Sequence, residues 1–329
     1  MRQAIGVSVG LLAFSLLACG KNETAGGSGG VSGGSGGVVT ATGGALGSGG
    51  VPNGSGGSGG VVDAGGTGGI VVDAAAESAA DAAGAGCAAP GTLCWDFEPG
   101  VLPPGFSLYR NEFSGALVVD DTRPHRGRYS LHAMDLRGGA LGQQGGPKKT
   151  ARFNLPDGFG PTMWGRAFVY TTPARPMSHA GLFNARYPRP NMPAATTIDK
   201  LDWYEVATYT QNYMTVWHPP EPPGYPEWVQ VSDTPLVLDS WTCLEWLFDG
   251  ANGASAQAAD PRLWVDGVEQ TWPMTFVFSD PATTVRPAQE KAQSFTVIEV
   301  GAYLYQGLPT ATNWWIDDLA VGKQRIGCD

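Results

Sequence analysis

Asn313-Trp314-Trp315-Ile316-Asp317-Asp318-Leu319-Ala320-Val321, running on to Arg325-Ile326-Gly327-Cys328, is the stretch around which the chain is organised. Its apolar residues alternate with a period of two, which is the period of a strand. On strict alternation Trp314, Ile316, Asp318 and Ala320 share one face, and Trp315, Asp317, Leu319 and Val321 share the other. Asp317 and Asp318 then point to opposite faces, and at least one carboxylate must find a cation or a ring of hydrogen-bond donors. Cys328 lies so near the C-terminus that the segment would fray unless the thiol is tied down. A bond to Cys243 would close the domain with this last strand.

Working outward, the sequence from Cys87 to Asp329 holds every Trp and Tyr of the chain. That length suffices for one substantial core. Strands are expected at 93–97, 116–120, 129–134, 151–155, 164–170, 179–184, 204–209, 213–218, 228–231, 241–248, 262–265, 275–278, 295–305 and 314–321. Turn signals separate them: Pro103-Pro104-Gly105, Pro156-Asp157-Gly158, Gln211-Asn212, Asp249-Gly250 and Asp266-Gly267. Asp-Gly between Trp264-Val265 and Val268-Glu269 is a strong hairpin signal. No window shows a sustained 3.6-residue apolar period. The fold class is therefore all-β, a two-sheet jelly-roll sandwich.

Upstream the composition is of another kind. An apolar run after Arg2 ends in Leu16-Leu17-Ala18-Cys19 and is too short to span a bilayer, so it reads as an export signal. Leu-Leu-Ala-Cys resembles the lipobox of bacterial lipoproteins, which implies lipid on Cys19, a signal peptide over 1–18, and membrane anchoring at the outer membrane or cell surface. An ordinary signal peptide with an incidental cysteine is the alternative. Residues 19–86 contain Gly-Gly-Ser-Gly-Gly-Val units (Gly26–Val31, Gly33–Val38) and drift into Ala/Asp-rich sequence. Such a composition cannot bury enough surface to offset ordering entropy, so a disordered tether with a reach of roughly 45–50 Å is expected. The globular domain occupies 87–329.

With Cys19 assigned to lipid, four cysteines remain, and an exported protein pairs them. Three connectivities are possible. The Pro90-Gly91 turn favours Cys87–Cys94, which leaves Cys243–Cys328. No cysteine spacing suits a zinc site. The net charge of −10, with no basic run, argues against nucleic acid as a partner.

Cys94-Trp95-Asp96-Phe97-Glu98, Trp241-Thr242-Cys243-Leu244-Glu245-Trp246, Leu263-Trp264-Val265-Asp266-Gly267 and Trp315-Ile316-Asp317-Asp318-Leu319-Ala320-Val321 resemble concanavalin A-like jelly rolls. Within that superfamily the chain is similar to glucuronan and alginate lyases and to their secreted relatives of unestablished activity. The resemblance implies a structural calcium between first and last strands. Glu98 and Asp317 would be its side-chain ligands, with oxygens from the His125–Ser130 turn. Alternatively, Asp317 accepts hydrogen bonds from backbone amides and from arginines such as Arg126 or Arg128.

The same resemblance implies a sugar-binding face carrying an arginine, a histidine, a tyrosine and a glutamine for β-elimination. Matched residue by residue, Arg166 is the carboxylate-neutralising arginine, His179 the base and Tyr303 the acid or base. A hairpin would bring His179 near Arg166, although Arg166 could simply pair with a carboxylate such as Glu205. Glu299-Val300-Gly301-Ala302-Tyr303-Leu304-Tyr305-Gln306 departs from the lyase pattern. Glu299 stands in place of lysine, Tyr305 in place of glutamine, and Gln306 comes one place late, on the opposite strand face. An acidic residue at 299 would repel an acidic sugar. The paired carboxylates of a jelly-roll glucanase are absent from the sequence.

Aromatics add a case for sugar contact without chemistry. Tyr213, Trp217, Trp228 and Tyr225 cluster around the proline-rich loop from His218 to Pro226 and could stack on pyranose rings or cover the end of the sandwich. Tyr213, Trp217, Tyr305 and Gln306 are the expected substrate contacts. The function expected is a surface lipoprotein whose jelly roll binds an extracellular polysaccharide. A polyuronate lyase or a purely adhesive module are the alternatives.

Overall fold

In the computed structural model the described residues are 87, 89–112, 115–138, 146–172, 179–188, 201–218, 227–251, 261–278, 292, 294–305 and 308–329. The expected signal over 1–18, Cys19, the expected tether over 19–86, Tyr225 and Gln306 lie outside them. No helix among the described residues is long and apolar enough to cross a membrane.

Among the described residues sixteen strands form two antiparallel eight-stranded sheets. The first holds β1 (Leu93–Trp95), β3 (Ala116–Asp120), β4 (Ser130–Gly138), β6 (Thr162–Thr171), β11 (Trp241–Asp249), β12 (Arg262–Val265), β13 (Val268–Glu269) and β16 (Leu308–Gly322). Their order is β13-β12-β11-β6-β16-β4-β3, with β1 also paired to β16. The second holds β2 (Phe106–Glu112), β5 (Lys148–Asn154), β7 (His179–Tyr187), β8 (Asp202–Tyr209), β9 (Asn212–His218), β10 (Trp228–Pro235), β14 (Met274–Val277) and β15 (Val297–Leu304). Its order is β14-β10-β9-β8-β7-β15-β5-β2. The jelly-roll sandwich is thus the observed architecture. The one strand the sequence pattern does not announce is β2, an edge strand whose Leu108 is exposed and whose second half is polar.

The core fills the space between the sheets and is dominated by rings. Phe183 of the second sheet stacks on Trp246 of the first at 4.5 Å, and Tyr204 stacks on Phe248 at 5.3 Å. Tyr213, Trp217 and Trp228 belong to this core, and Trp217 Nε1 donates to the Tyr187 hydroxyl at 3.1 Å. Tyr213 and Trp217 are therefore not substrate contacts. Each lies in a strand whose inward positions take large apolar rings, and burial claims them.

Strand β16 departs from strict alternation. Asp317 faces Phe168 of β6, whereas Ala320 faces Arg166, so one extra residue is accommodated. Asp318 takes it up with φ of +49°, the left-handed conformation that aspartate tolerates better than most residues. This bulge resets the alternation: Trp314, Ile316, Leu319 and Val321 all enter the core. The two carboxylates then meet the same residue instead of opposite faces. Asp317 Oδ2 accepts the His125 amide at 2.8 Å, and Asp318 Oδ2 lies 2.8 Å from His125 Nδ1.

Glu98 and Asp317 do flank the 125–129 turn, as calcium ligands would, but the turn offers them donors. Glu98 accepts from the amides of Arg128 and Tyr129, and Asp317 from those of His125, Arg126 and Asp318. Amide N–H groups occupy the directions a cation would take. No group of three metal-ligating side chains occurs among the described residues. The residues as they stand do not fit a calcium shell. Burial pushes the Asp317 carboxyl up to about 7, so it is partly neutral at physiological pH, which is how a buried carboxylate manages without a cation.

The C-terminus is stitched down as expected. Cys243 and Cys328 are bonded, as are Cys87 and Cys94. Glu245, fully buried, accepts from Arg325 Nε at 2.9 Å and from the amides of Ile326 and Gly327 at 3.2 and 2.7 Å.

Arg166 lies in the first sheet, where it is buried and donates from Nε and Nη2 to the Asp318 carbonyl at 3.3 and 3.2 Å. Strands β6 and β7 belong to different sheets and form no hairpin, so Arg166 and His179 are not brought together. Nor does Arg166 pair with Glu205, which lies in the second sheet; its cross-strand partner is Glu245. The role in catalysis expected of Arg166 is withdrawn on this placement.

Candidate functional site

On the face of the second sheet turned away from the core, alternation selects the side chains that meet. Register places Asn184 of β7 between Glu299 of β15 and Glu205 of β8. One row along, Trp203 of β8 stands between Arg186 of β7 and His218 of β9. A third row sets Tyr303 of β15 between Lys148 of β5 and Gly181 of β7. A cavity of about 180 Å³ opens here, lined by Arg110, Asn184, Arg186, Trp203, Glu205, Tyr303 and Tyr305. That is below the roughly 300 Å³ of a drug-sized site and suits one sugar ring better than a whole oligosaccharide.

Glu299, expected to repel an acidic ligand, is neutralised. Arg186 Nη2 lies 3.2 Å from its Oε1, and Asn184 Nδ2 donates to its Oε2 at 2.9 Å. The Arg186 guanidinium also lies 4.6 Å from the Trp203 ring, while His218 stacks on that ring at 4.3 Å. Arg186 and His218 come from the two strands flanking β8, so they hold Trp203 from either side. Arg110 and Lys148 stand over the Tyr303 ring at 5.2 and 4.8 Å. These cations and rings share the site with one another in the geometry of cation–π pairs.

A second set of contacts is buried and ionic. His218 Nε2 is 2.8 Å from Glu205 Oε2, and its Nδ1 lies 3.1 Å from Glu227 Oε1, near enough for charge pairing but poorly aligned for a hydrogen bond. Burial disfavours a charged imidazole, yet Glu227 and Glu205 outweigh it and raise His218 to about 9. Burial likewise works against an ionised Glu205, but the two neighbouring histidines hold it down at about 2. The Tyr305 hydroxyl donates to Glu205 Oε2 at 3.4 Å, and burial, with Glu205 and Tyr303 nearby, raises it well above the ordinary phenol value. Tyr305 is therefore a donor at any physiological pH.

Of the expected catalytic residues, Tyr303 and His179 are on the same face. Tyr305 stands between them, 4.6 Å from the Tyr303 ring and stacked on His179 at 3.9 Å. His179 does not line the cavity; its Nε2 is buried without a hydrogen-bond partner, 3.6 Å from Glu205 Oε2. Arg110, Asn184, Arg186, Trp203 and Glu205 were not expected. The last four were accessible from alternation, since Asn184-Ala185-Arg186 and Trp203-Tyr204-Glu205 each place a core residue between two outward ones. Arg110 was hidden with β2.

The chain matches no family model and no curated protein. Among solved structures it is similar to the cellulose-induced protein Cip1, at 15% identity and a TM-score of 0.49, covering 72% of this chain and 100% of that one. It is also similar to an endo-β-1,4-glucuronan lyase from the fungus Trichoderma reesei, at 14% identity and a TM-score of 0.47, covering 70% and 95%. A PL-14 alginate lyase from Aplysia kurodai has 6% identity and a TM-score of 0.42, covering 62% and 86%. Likeness at this level carries no chemistry to this chain.

Proposed function

We infer that the domain binds an acidic extracellular polysaccharide in the cavity on the outer face of its second sheet. One observation carries the reading: the cavity sets the Arg110 guanidinium beside the rings of Trp203, Tyr303 and Tyr305, with the Lys148 ammonium also over the Tyr303 ring, while Arg186 and Asn184 cancel the charge of Glu299. Guanidinium groups recognise carboxylates, and aromatic rings held in place offer apolar faces to pyranoses at low entropic cost. The test is affinity electrophoresis of the full chain in gels containing a polyuronate or a neutral glucan. Retardation by the polyuronate alone, reduced by Tyr303→Ala, supports the reading; no retardation counts against it.

A second reading is a polyuronate lyase, favoured by the position of Tyr303 in the cavity beside Arg110 and Tyr305. In β-elimination a base takes the C5 proton, the C4–O bond breaks, the double bond forms between C4 and C5, and an acid protonates the departing oxygen. Tyr305, held protonated, would supply the acid, and Tyr303 the base. Ultraviolet absorbance of the unsaturated product that grows with wild type and vanishes with Tyr303→Phe would establish it. A flat trace with retained binding leaves the binder.

In the same reading the domain sits on a lipid-anchored tether, which the lipobox-like Leu16-Leu17-Ala18-Cys19 supports. Incorporation of labelled palmitate that is lost in Cys19→Ser tests the anchor.

A further inference from the structure

Glu205 is 1% exposed, and such a carboxylate must have its lone pairs met. Its Oε2 is met by His218 and Tyr305. Its Oε1 sits over Gly181, where a Cβ would come within 1.8 Å of it, so the sequence omits a side chain there to seat this oxygen. His218 is hydrogen-bonded to Glu205 through Nε2 and lies in charge-pairing range of Glu227 through Nδ1, and its ring is stacked on Trp203. Two carboxylates thus share one imidazolium, and the acceptor left over belongs to a residue that lines the cavity. An ionised carboxylate only accepts hydrogen bonds. A hydroxyl of a ligand in the cavity can donate to it.

We propose that Glu205 is the specificity-determining acceptor of this site: its Oε1 receives a free ring hydroxyl of the bound sugar. The domain therefore takes an acidic polysaccharide with unsubstituted hydroxyls and refuses its O-acylated form. The inference rests on the acidic-polysaccharide reading and goes beyond it. The Arg110 guanidinium attracts the acidic group, whereas Glu205 reads what lies across the ring from it. An acylated hydroxyl has no proton to donate, and in a cavity of about 180 Å³ the acyl group also competes with the ring for room. The oxygen left facing Glu205 would then meet a buried carboxylate with acceptor against acceptor, which is repulsive.

The experiment compares one O-acetylated acidic polysaccharide before and after mild alkaline deacetylation, with binding to the full chain measured by calorimetry. Deacetylation is expected to tighten binding by about 10- to 100-fold, the size of one hydrogen bond to a charged group. Glu205→Gln, close in shape but able to turn its NH₂ to the cavity, should bind the deacetylated polymer more weakly and lose most of the discrimination. Gly181→Ala should do the same by displacing the carboxylate, and thermal melts of both variants report whether they fold. Equal affinity of wild type for the two polymers overturns the inference while leaving the acidic-polysaccharide reading standing. Binding of neither polymer overturns both. The wild-type comparison decides even where the variants do not fold.

Discussion

His218 holds its proton between Glu205 and Glu227, which ties stability to pH with a definite sign. Its folded value of about 9 lies above the ordinary 6.5, so its contribution is complete below pH 6.5 and is lost as pH rises through 9. Glu205, held at about 2 against an ordinary 4.5, contributes above pH 4.5 and loses that contribution as pH falls through 2. The pair is fully formed from about pH 4.5 to 6.5. The His218 shift is shared between Glu227 and Glu205 and is worth on the order of 3 kcal/mol. Urea denaturation of wild type and His218→Gln should show a stability gap that is widest near pH 6 and narrows toward pH 9. A gap that stays constant over that range contradicts the clamp. At this scale the sequence was partly legible. Tyr303, Tyr305 and His179 were recognised and do lie together. Glu205 was read only as a possible partner for Arg166, because which sheet a strand joins is a long-range property that no local pattern encodes.

Strand β16 shows what a single inserted residue does. Deleting Asp318 removes the bulge and leaves Asp317 alone between Ile316 and Leu319, so plain alternation keeps Leu319 and Val321 inward, and what is lost is the contact of Asp318 with His125 and Arg166. The variant should therefore keep the sandwich and be destabilised by about 1.5–3 kcal/mol, the size of a hydrogen bond to a charged group. Thermal melts followed by circular dichroism check this, and loss of the fold would contradict the register. The Cys243–Cys328 bond spans 85 residues and in the chain-entropy model contributes about 4–5 kcal/mol. Cys328→Ser combined with Cys243→Ser should lower stability by that order in chemical denaturation; a change under about 1 kcal/mol would mean that Glu245 and Arg325 alone hold the terminus. Chelation is the third test here. With amides already donating to Glu98 and Asp317, adding a calcium chelator should leave the melting temperature unchanged, and a clear drop would restore a structural ion at the 125–129 turn. The strand was legible from its period of two. The bulge was not, because Asp317-Asp318 reads as alternation broken by charge, and only pairing with β6 reveals the extra residue.

For the molecule as a whole, fold and site separate by what each depends on. Turn residues and alternation recur in every strand but β2, so the sandwich could be read from redundant local signals, and four cysteines with one tight turn gave the disulfides. The cavity depends on how β2, β5, β15, β7 and β8 line up side by side, and each contributes only one or two residues. That is why Trp217 and Tyr213 were expected outside and are found in the core, while Trp203, one strand over, is the tryptophan that lines the cavity. The central claim is that this cavity takes an acidic sugar. Calorimetry of the full chain against a polyuronate and a neutral glucan, at low and moderate salt, tests it most directly. The account predicts binding of the polyuronate only, weakened by salt and by about tenfold or more in Arg110→Gln. Equal binding of the neutral glucan, or polyuronate binding indifferent to both salt and Arg110→Gln, would contradict it.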